Sequence, residues 1–141
     1  MPDNAVICRK IGALVNYYKE FKEFTDKLDY AAYKSDIIRK RAIERDIQLI
    51  VECATDINNM ILKSLKVGPS KDYFNSFVEL AENNILEMEF ALKIAPSTGL
   101  RNILVHEYQA IDDKIVFASI NKILEYYHEY INKVSSYLQC K

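Results

Sequence analysis

The sequence predicts an all-α protein, an up-and-down helical bundle, and three observations carry that expectation. Only three glycines and three prolines occur in 141 residues, too few for the turns that a β-sandwich or an α/β fold of this length needs. Half of the residues are apolar and 28% are charged, the balance of an ordinary globular chain. The apolar residues recur at spacings of three and four, the period of a helix with one buried face. The length suits one domain, 1–141, with enough material for a real core.

The first helix is expected from about Asp3 to Leu28, where Ile7, Ile11, Leu14, Tyr18, Phe21 and Leu28 share one stripe. Lys10, Lys19, Glu20, Lys22 and Glu23 take the other side. Asp29 to Lys34 breaks the pattern and reads as a connection. The second helix is the clearest. Ser35 or Asp36 can cap its start, and Ile43, Ile47, Ile50, Ala54, Ile57 and Ile61 alternate spacings of four and three. That rhythm describes a seam packed against near-parallel neighbours.

Val67-Gly68-Pro69 stops the second helix. Ser70 or Asp72 can cap a shorter third one carrying Phe74, Phe77, Val78 and Leu80, and apolar spacing resumes at Ile85, Leu86, Phe90, Ala91 and Ile94. Pro96-Ser97-Thr98-Gly99 reads as the next break. The last helical region begins near Leu100, pauses at Asp112 and continues through Val116, Ile120, Ile123, Tyr127, Ile131, Val134 and Leu138. Several of the ten tyrosines fall on these stripes and read as packing residues.

The bulk chemistry removes some function classes. Nineteen basic and twenty acidic side chains leave a net charge of -1, whereas a protein that coats nucleic acid is strongly basic. An enzyme that engages a few phosphates in a local cleft stays open. Cys8, Cys53 and Cys140 are an odd set without CxxC spacing, so neither a disulfide framework nor a zinc site is indicated. Cys53 lies in an apolar helical run and reads as a small buried hydrophobe. Asp3, Arg9 and Lys10 interrupt any signal-peptide pattern. No apolar run approaches the ~18 residues of a membrane span. A cytoplasmic, reduced protein is expected.

One stretch differs in kind from the rest: Arg101-Asn102-Ile103-Leu104-Val105-His106-Glu107-Tyr108. It follows the Pro/Gly break, so its polar groups should lie near a helix start, where free N–H groups and the dipole favour an anion. On an unbroken helix Tyr108 returns to within about 20° of Arg101, and His106 lies about 40° from Asn102. All four then occupy an arc of roughly 160°, while Ile103, Leu104 and Ile111 face the bundle. Such a guanidinium, amide, imidazole and phenol make a phosphate-and-base surface. A capped helix whose polar side faces solvent has the same pattern.

R-N-x-x-V-H-x-Y resembles the R-x4-H-x-Y motif of HepT toxins, a branch of the HEPN superfamily. The resemblance extends in order through Ala42-Ile43-Glu44-Arg45-Asp46-Ile47-Gln48, Asp56-Ile57, Tyr73-Phe74, Phe77, Leu80-Ala81 and Ile111-Asp112. It covers roughly Arg41 to Ile115; the first and last helices fit only in length and periodicity. Leu100 departs from the pattern, which has an aromatic before the arginine, but keeps a bulky apolar anchor.

The resemblance implies a HEPN-type bundle and the toxin of a toxin–antitoxin pair. It implies metal-independent RNA cleavage, with no cofactor, in which the 2′-hydroxyl attacks the adjacent phosphorus. His106 would exchange protons. Arg101 would hold the phosphate and offset its growing charge, and Asn102 would orient the imidazole or a phosphate oxygen. The second histidine, His128, lies far along the last helix, so a two-fold homodimer that pairs two copies of His106 is expected. Tyr108 matches the tyrosine to which a cognate minimal nucleotidyltransferase, the MntA-like antitoxin, adds AMP. That charge and bulk beside Arg101 would exclude RNA. A tyrosine that only stacks or hydrogen-bonds is the other reading.

Three further signals have plainer readings beside them. Arg39, Lys40, Arg41 and Arg45 could guide RNA or contact the antitoxin, but Glu44 and Asp46 interleave with them, as on a solvated, ion-paired face. Asp56 lies close to the expected core, with Arg101 as a candidate partner, or is an ordinary surface residue. Glu125-Tyr126-Tyr127-His128 has the E-x-x-H spacing of bundle-core metal sites, but Ile103 stands where a second motif needs its glutamate, so His128 reads as a surface residue. The competing function is a non-catalytic binding or scaffold subunit of a nucleotidyltransferase complex. Such a subunit needs no paired Arg101 and His106.

Overall fold

Four aspartates set where helices begin in the computed structural model, which describes residues 2–140 and the side chains of 4–140. After α1 (Pro2–Thr25), the Asp29 carboxylate accepts from Ala32 N at 2.7 Å and starts α2 (Tyr30–Ser35). Asp36 accepts from Arg39 N at 3.1 Å and starts α3 (Ile37–Ser64). Asp72 does the same for α4 (Tyr73–Glu82) through Asn75 N, and Asp112 for the last helix through Lys114 N. Each satisfies a backbone donor that the helix cannot. The remaining elements are α5 (Met88–Ile94), α6 (Ser97–His106), a 3₁₀ turn at Tyr108–Ala110 and α7 (Asp113–Leu138).

Long-range contacts give the directions. Tyr18 Oη donates to the Leu124 carbonyl and Asn4 reaches that of Leu138, so α1 and α7 are antiparallel. Lys10 meets Asp56 while Arg39 meets Phe24, so α1 and α3 are antiparallel as well. Arg101 meets Glu52 and Tyr108 meets Glu44, which runs α6 back along α3. The bundle is therefore up-and-down, with its third leg broken into short pieces. Arg39 also closes the end of α1, donating to the carbonyls of Phe24 and Asp26 at 2.6 and 2.8 Å.

The α3 seam from Ile43 to Ile61 is wholly buried, as its rhythm requires, and packs on Leu14, Phe21, Tyr33, Tyr127 and Tyr130. A buried polar chain crosses this core: Tyr130 Oη donates to Asn58 Oδ1, Asn58 Nδ2 to Ser76 Oγ and Ser76 Oγ to the Tyr73 carbonyl. It ties α7, α3 and α4 together, and each member has a partner, so burial leaves none of these groups orphaned.

Three sequence expectations need correction. Asp29 to Lys34 is no plain connection but holds the six-residue α2 and its buried Tyr33; six residues are too few to show a period. The break read at Pro96 to Gly99 is shorter than expected: α5 ends at Ile94 and α6 begins at Ser97, so only Ala95 and Pro96 interrupt the helix. Thr98 N and Gly99 N bond to the carbonyls of Ala95 and Pro96 at 3.0 Å each, so these residues make the corner and first turn of α6. Cys8 and Cys140 are joined as a disulfide, with Cα atoms 5.6 Å apart. Their separation of 132 residues carries no spacing signal; the antiparallel pairing of α1 and α7 brings them together. Cys53 is buried as expected, and burial pushes its thiol up to about 11.

Asp46 is only 1% exposed and faces α1, with Oδ2 lacking a hydrogen-bond partner among the described residues. Burial first, then the Glu20 carboxyl, push it up to about 7 from 3.8. The folded state thus holds this proton more tightly than the unfolded chain. The resulting stability is full below pH ~4 and is lost as the pH rises towards 7. Asp46→Asn, which needs no proton, is expected to gain stability relative to wild type as the pH rises from ~4 to ~8. Urea unfolding of both proteins at pH ~4 and ~8 checks this; parallel pH dependences would refute it.

Candidate functional site

Arg101 is the most tightly held of the motif residues. Its Nε and Nη2 donate to Glu52 Oε2 at 2.9 and 2.6 Å, and its Cζ lies 4.8 Å from the Tyr73 ring centroid. Gln48 Nε2 donates to the same Glu52 oxygen at 3.1 Å. The guanidinium is thus fixed in its plane, and its remaining nitrogen, Nη1, turns to Asn102 Oδ1 at 3.2 Å. Asp56 is not its partner: that carboxylate is exposed and pairs with Lys10 at 3.3 Å. Glu52 lies one turn earlier on the same side of α3, a position that the apolar seam alone does not distinguish.

Arg101 and Asn102 border an open cleft of about 610 Å³, shared with Tyr73, Phe74, Thr98 and Gly99. Phe74 is 40% exposed, an apolar ring presented beside the cationic group. Asn102 and His106 are one turn apart on α6 and both exposed. His106 is the last residue of that helix and has no hydrogen-bond partner among the described residues. Arg101, Asn102 and His106 therefore share one short helix, with the cation buttressed and the imidazole free to meet a ligand.

Tyr108 is not on that helix. Glu107, at φ -130° and ψ 46°, ends α6, and Tyr108 opens the 3₁₀ turn. No breaker residue marks this point. The phenol instead donates to Glu44 Oε1 at 2.9 Å, Arg41 Nη1 reaches the same oxygen at 3.2 Å, and Arg41 Cζ sits 5.2 Å from the ring centroid. Burial first, then Glu44, raise the phenol above its ordinary value. Glu44 and Glu52 are eight residues apart, about 12 Å along α3 at 1.5 Å per residue. The single arc expected for the four side chains is corrected to a three-residue helical face and a separately anchored tyrosine.

The motif does not begin its helix, contrary to the expected helix-start anion site. Arg101 is the fifth residue of α6, and the first-turn N–H groups are spent on Ala95 and Pro96. Attraction for an anion therefore comes from the side chain. The basic cluster does not form a solvated face either. Glu44 and Asp46 are buried, Arg39 caps α1, and Lys40 pairs with Asp113 at 2.7 Å; Arg45 alone of the four is exposed without an ion pair among the described residues. His128 is exposed and hydrogen-bonded to Asn132.

Residues 14–134 match the family model described as HepT-like, ribonuclease HepT-like. The chain belongs to the HepT-like family. A tRNA nuclease HepT of Aphanizomenon flos-aquae is 43% identical over 128 residues, 91% of this chain and 84% of that one. An mRNA nuclease HepT of Shewanella oneidensis is 26% identical over 94% of this chain and 98% of its own length. Among solved structures, a tri-AMPylated Shewanella oneidensis HEPN toxin in complex with an MNT antitoxin superposes with a TM-score of 0.83. It shares 26% identity and covers 93% of this chain and 97% of that one. The all-α bundle of this HepT-like chain is thus the HEPN fold that its motif implied.

Proposed function

We propose that this chain is the toxin of a toxin–antitoxin pair, an endoribonuclease that cuts RNA at the Arg101–Asn102–His106 face and is neutralised by AMP addition to Tyr108. The observation that carries the reading is the buttressed Arg101 on the same short helix as an exposed imidazole, in a chain of the HepT-like family. RNA phosphate lies against Arg101 and a base stacks on exposed Phe74. His106 takes the 2′-hydroxyl proton or supplies one to the 5′-oxygen as it leaves. Arg101 offsets charge on the equatorial oxygens, and Asn102 orients the imidazole or phosphate. One imidazole cannot do both proton transfers at once, so two copies related by a two-fold axis share the cleft.

The antitoxin is a minimal nucleotidyltransferase of the MntA kind, as in the solved toxin–antitoxin complexes similar to this chain. No helix among the described residues is long and apolar enough to cross a membrane. RNA and ATP as substrates favour a cytoplasmic protein, and the Cys8–Cys140 disulfide departs from the reduced state expected there.

The test is cleavage of defined tRNA and mRNA by the purified protein in EDTA, with the product ends mapped. A 2′,3′-cyclic phosphate and a 5′-hydroxyl are expected, from a species that sediments as a dimer. A folded dimer that cuts neither RNA would favour the scaffold reading, and an active monomer would remove the paired histidines.

A further inference from the structure

Glu44 on α3 is 5% exposed, an unusual place for a carboxylate. Its Oε1 accepts from Tyr108 Oη at 2.9 Å and from Arg41 Nη1 at 3.2 Å. Its Oε2 is buried with no hydrogen-bond partner among the described residues. A half-satisfied buried carboxylate costs stability, so stability does not explain this arrangement. What it offers is an acceptor with spare lone pairs, held against a tyrosine whose ring is 45% exposed.

The surroundings suit proton transfer. Arg41 approaches from the same helix, Tyr33 from α2, and Asp113 from the start of α7, where Lys40 holds it at 2.7 Å. Arg41 offsets the carboxylate's charge and lies against the Tyr108 ring, fixing where the phenol points. The phenol, raised by burial and by Glu44, stays protonated at neutral pH and is a weak nucleophile without a base.

We propose that Glu44 is the general base for nucleotidyl transfer to Tyr108. This rests on the reading that Tyr108 is the modified residue. The Tyr108 oxygen bonds to the α-phosphorus of a nucleoside triphosphate brought by the partner transferase. The bond from that phosphorus to the bridging oxygen breaks, and pyrophosphate leaves with the electron pair. The phenolic proton passes to the Glu44 carboxylate and from there to solvent, restoring the base. The acceptor chain thus supplies one of the catalytic groups for its own modification.

The experiment is single-turnover adenylylation of the full-length dimer by its cognate nucleotidyltransferase with ATP and Mg²⁺, followed by intact-mass spectrometry from neutral to alkaline pH. Wild type, Tyr108→Phe, Glu44→Gln and Glu44→Asp are compared, with melting curves for each. Glu44→Gln keeps the shape and an acceptor but cannot take the proton. Its rate is expected to fall by about 10²- to 10⁴-fold at neutral pH and to climb with pH more steeply than wild type as phenolate forms. Glu44→Asp keeps the charge and is expected to hold the wild-type pH profile at a lower rate, which decides the matter if Glu44→Gln melts early. Labelling of Glu44→Gln at the wild-type rate, or slowing by the same factor at every pH, overturns the base assignment while leaving the modification site standing. Equal labelling of Tyr108→Phe overturns the modification site itself, and the base assignment with it.

Discussion

His106→Ala is expected to abolish RNA cleavage and toxicity while leaving helix content and melting temperature unchanged. The side chain ends α6, is exposed and makes no hydrogen bond among the described residues, so alanine removes no packing. The loss should reach about 10²- to 10⁴-fold, the range of a general acid–base group. Arg101→Ala is expected to cost activity too, on the order of 2.7–4 kcal/mol if the guanidinium acts like an oxyanion-hole donor. It should differ from His106→Ala in one respect. Removing Arg101 leaves Glu52, 27% exposed at its side chain, without its charge partner, so a small loss of stability accompanies the loss of activity. Single-turnover cleavage beside thermal melting separates the two effects. Full activity in either folded variant would place the cutting site elsewhere.

The fold was legible wherever one helix ran long enough to repeat its pattern. The α3 seam from Ile43 to Ile61 spans five turns, and every residue named on it is buried. The α7 stripe is similar, with Val116, Ile120, Ile123, Tyr127, Val134 and Leu138 buried. What stayed illegible depends on contacts between distant segments. A six-residue α2 shows no period, and its place is set by Tyr33 entering a core built elsewhere. Arg101 chose Glu52 over Asp56 because α6 crosses α3 one turn earlier than the apolar seam alone could reveal. The Cys8–Cys140 pair follows from the register of two helices at opposite ends of the chain. The helical wheel failed at one informative place: it holds only along unbroken helix, and the chain leaves α6 between His106 and Tyr108. A tertiary anchor on Glu44 and Arg41, unseen in the local sequence, accompanies that departure.

Tyr108→Phe is expected to take no AMP from the cognate nucleotidyltransferase and to remain toxic in cells that make both proteins. The substitution keeps the ring against Arg41 and removes the single atom that can carry the adenylyl group. The ring is 45% exposed, so packing changes little, but buried Glu44 loses one of its two hydrogen-bond donors and a modest loss of stability accompanies the substitution. The anchors of Tyr108 and Arg101 stand about 12 Å apart along α3, so the AMP does not occupy the Arg101 contact merely by being attached. Neutralisation must work along the face between them, where His106 lies. Once adenylylated, the tyrosine oxygen can no longer donate to Glu44, and carboxylate and phosphodiester repel each other at close range. The ring is thereby driven out of its anchor, and the nucleotide's negative charge is held where RNA would approach. Intact-mass spectrometry after incubation with the partner, ATP and Mg²⁺ should show added AMP on wild type and none on the variant. Labelling of both to the same extent would make another residue the target and return Tyr108 to packing or base stacking. A labelled wild type that still cuts RNA at full rate would mean that charge on this face does not govern access to His106.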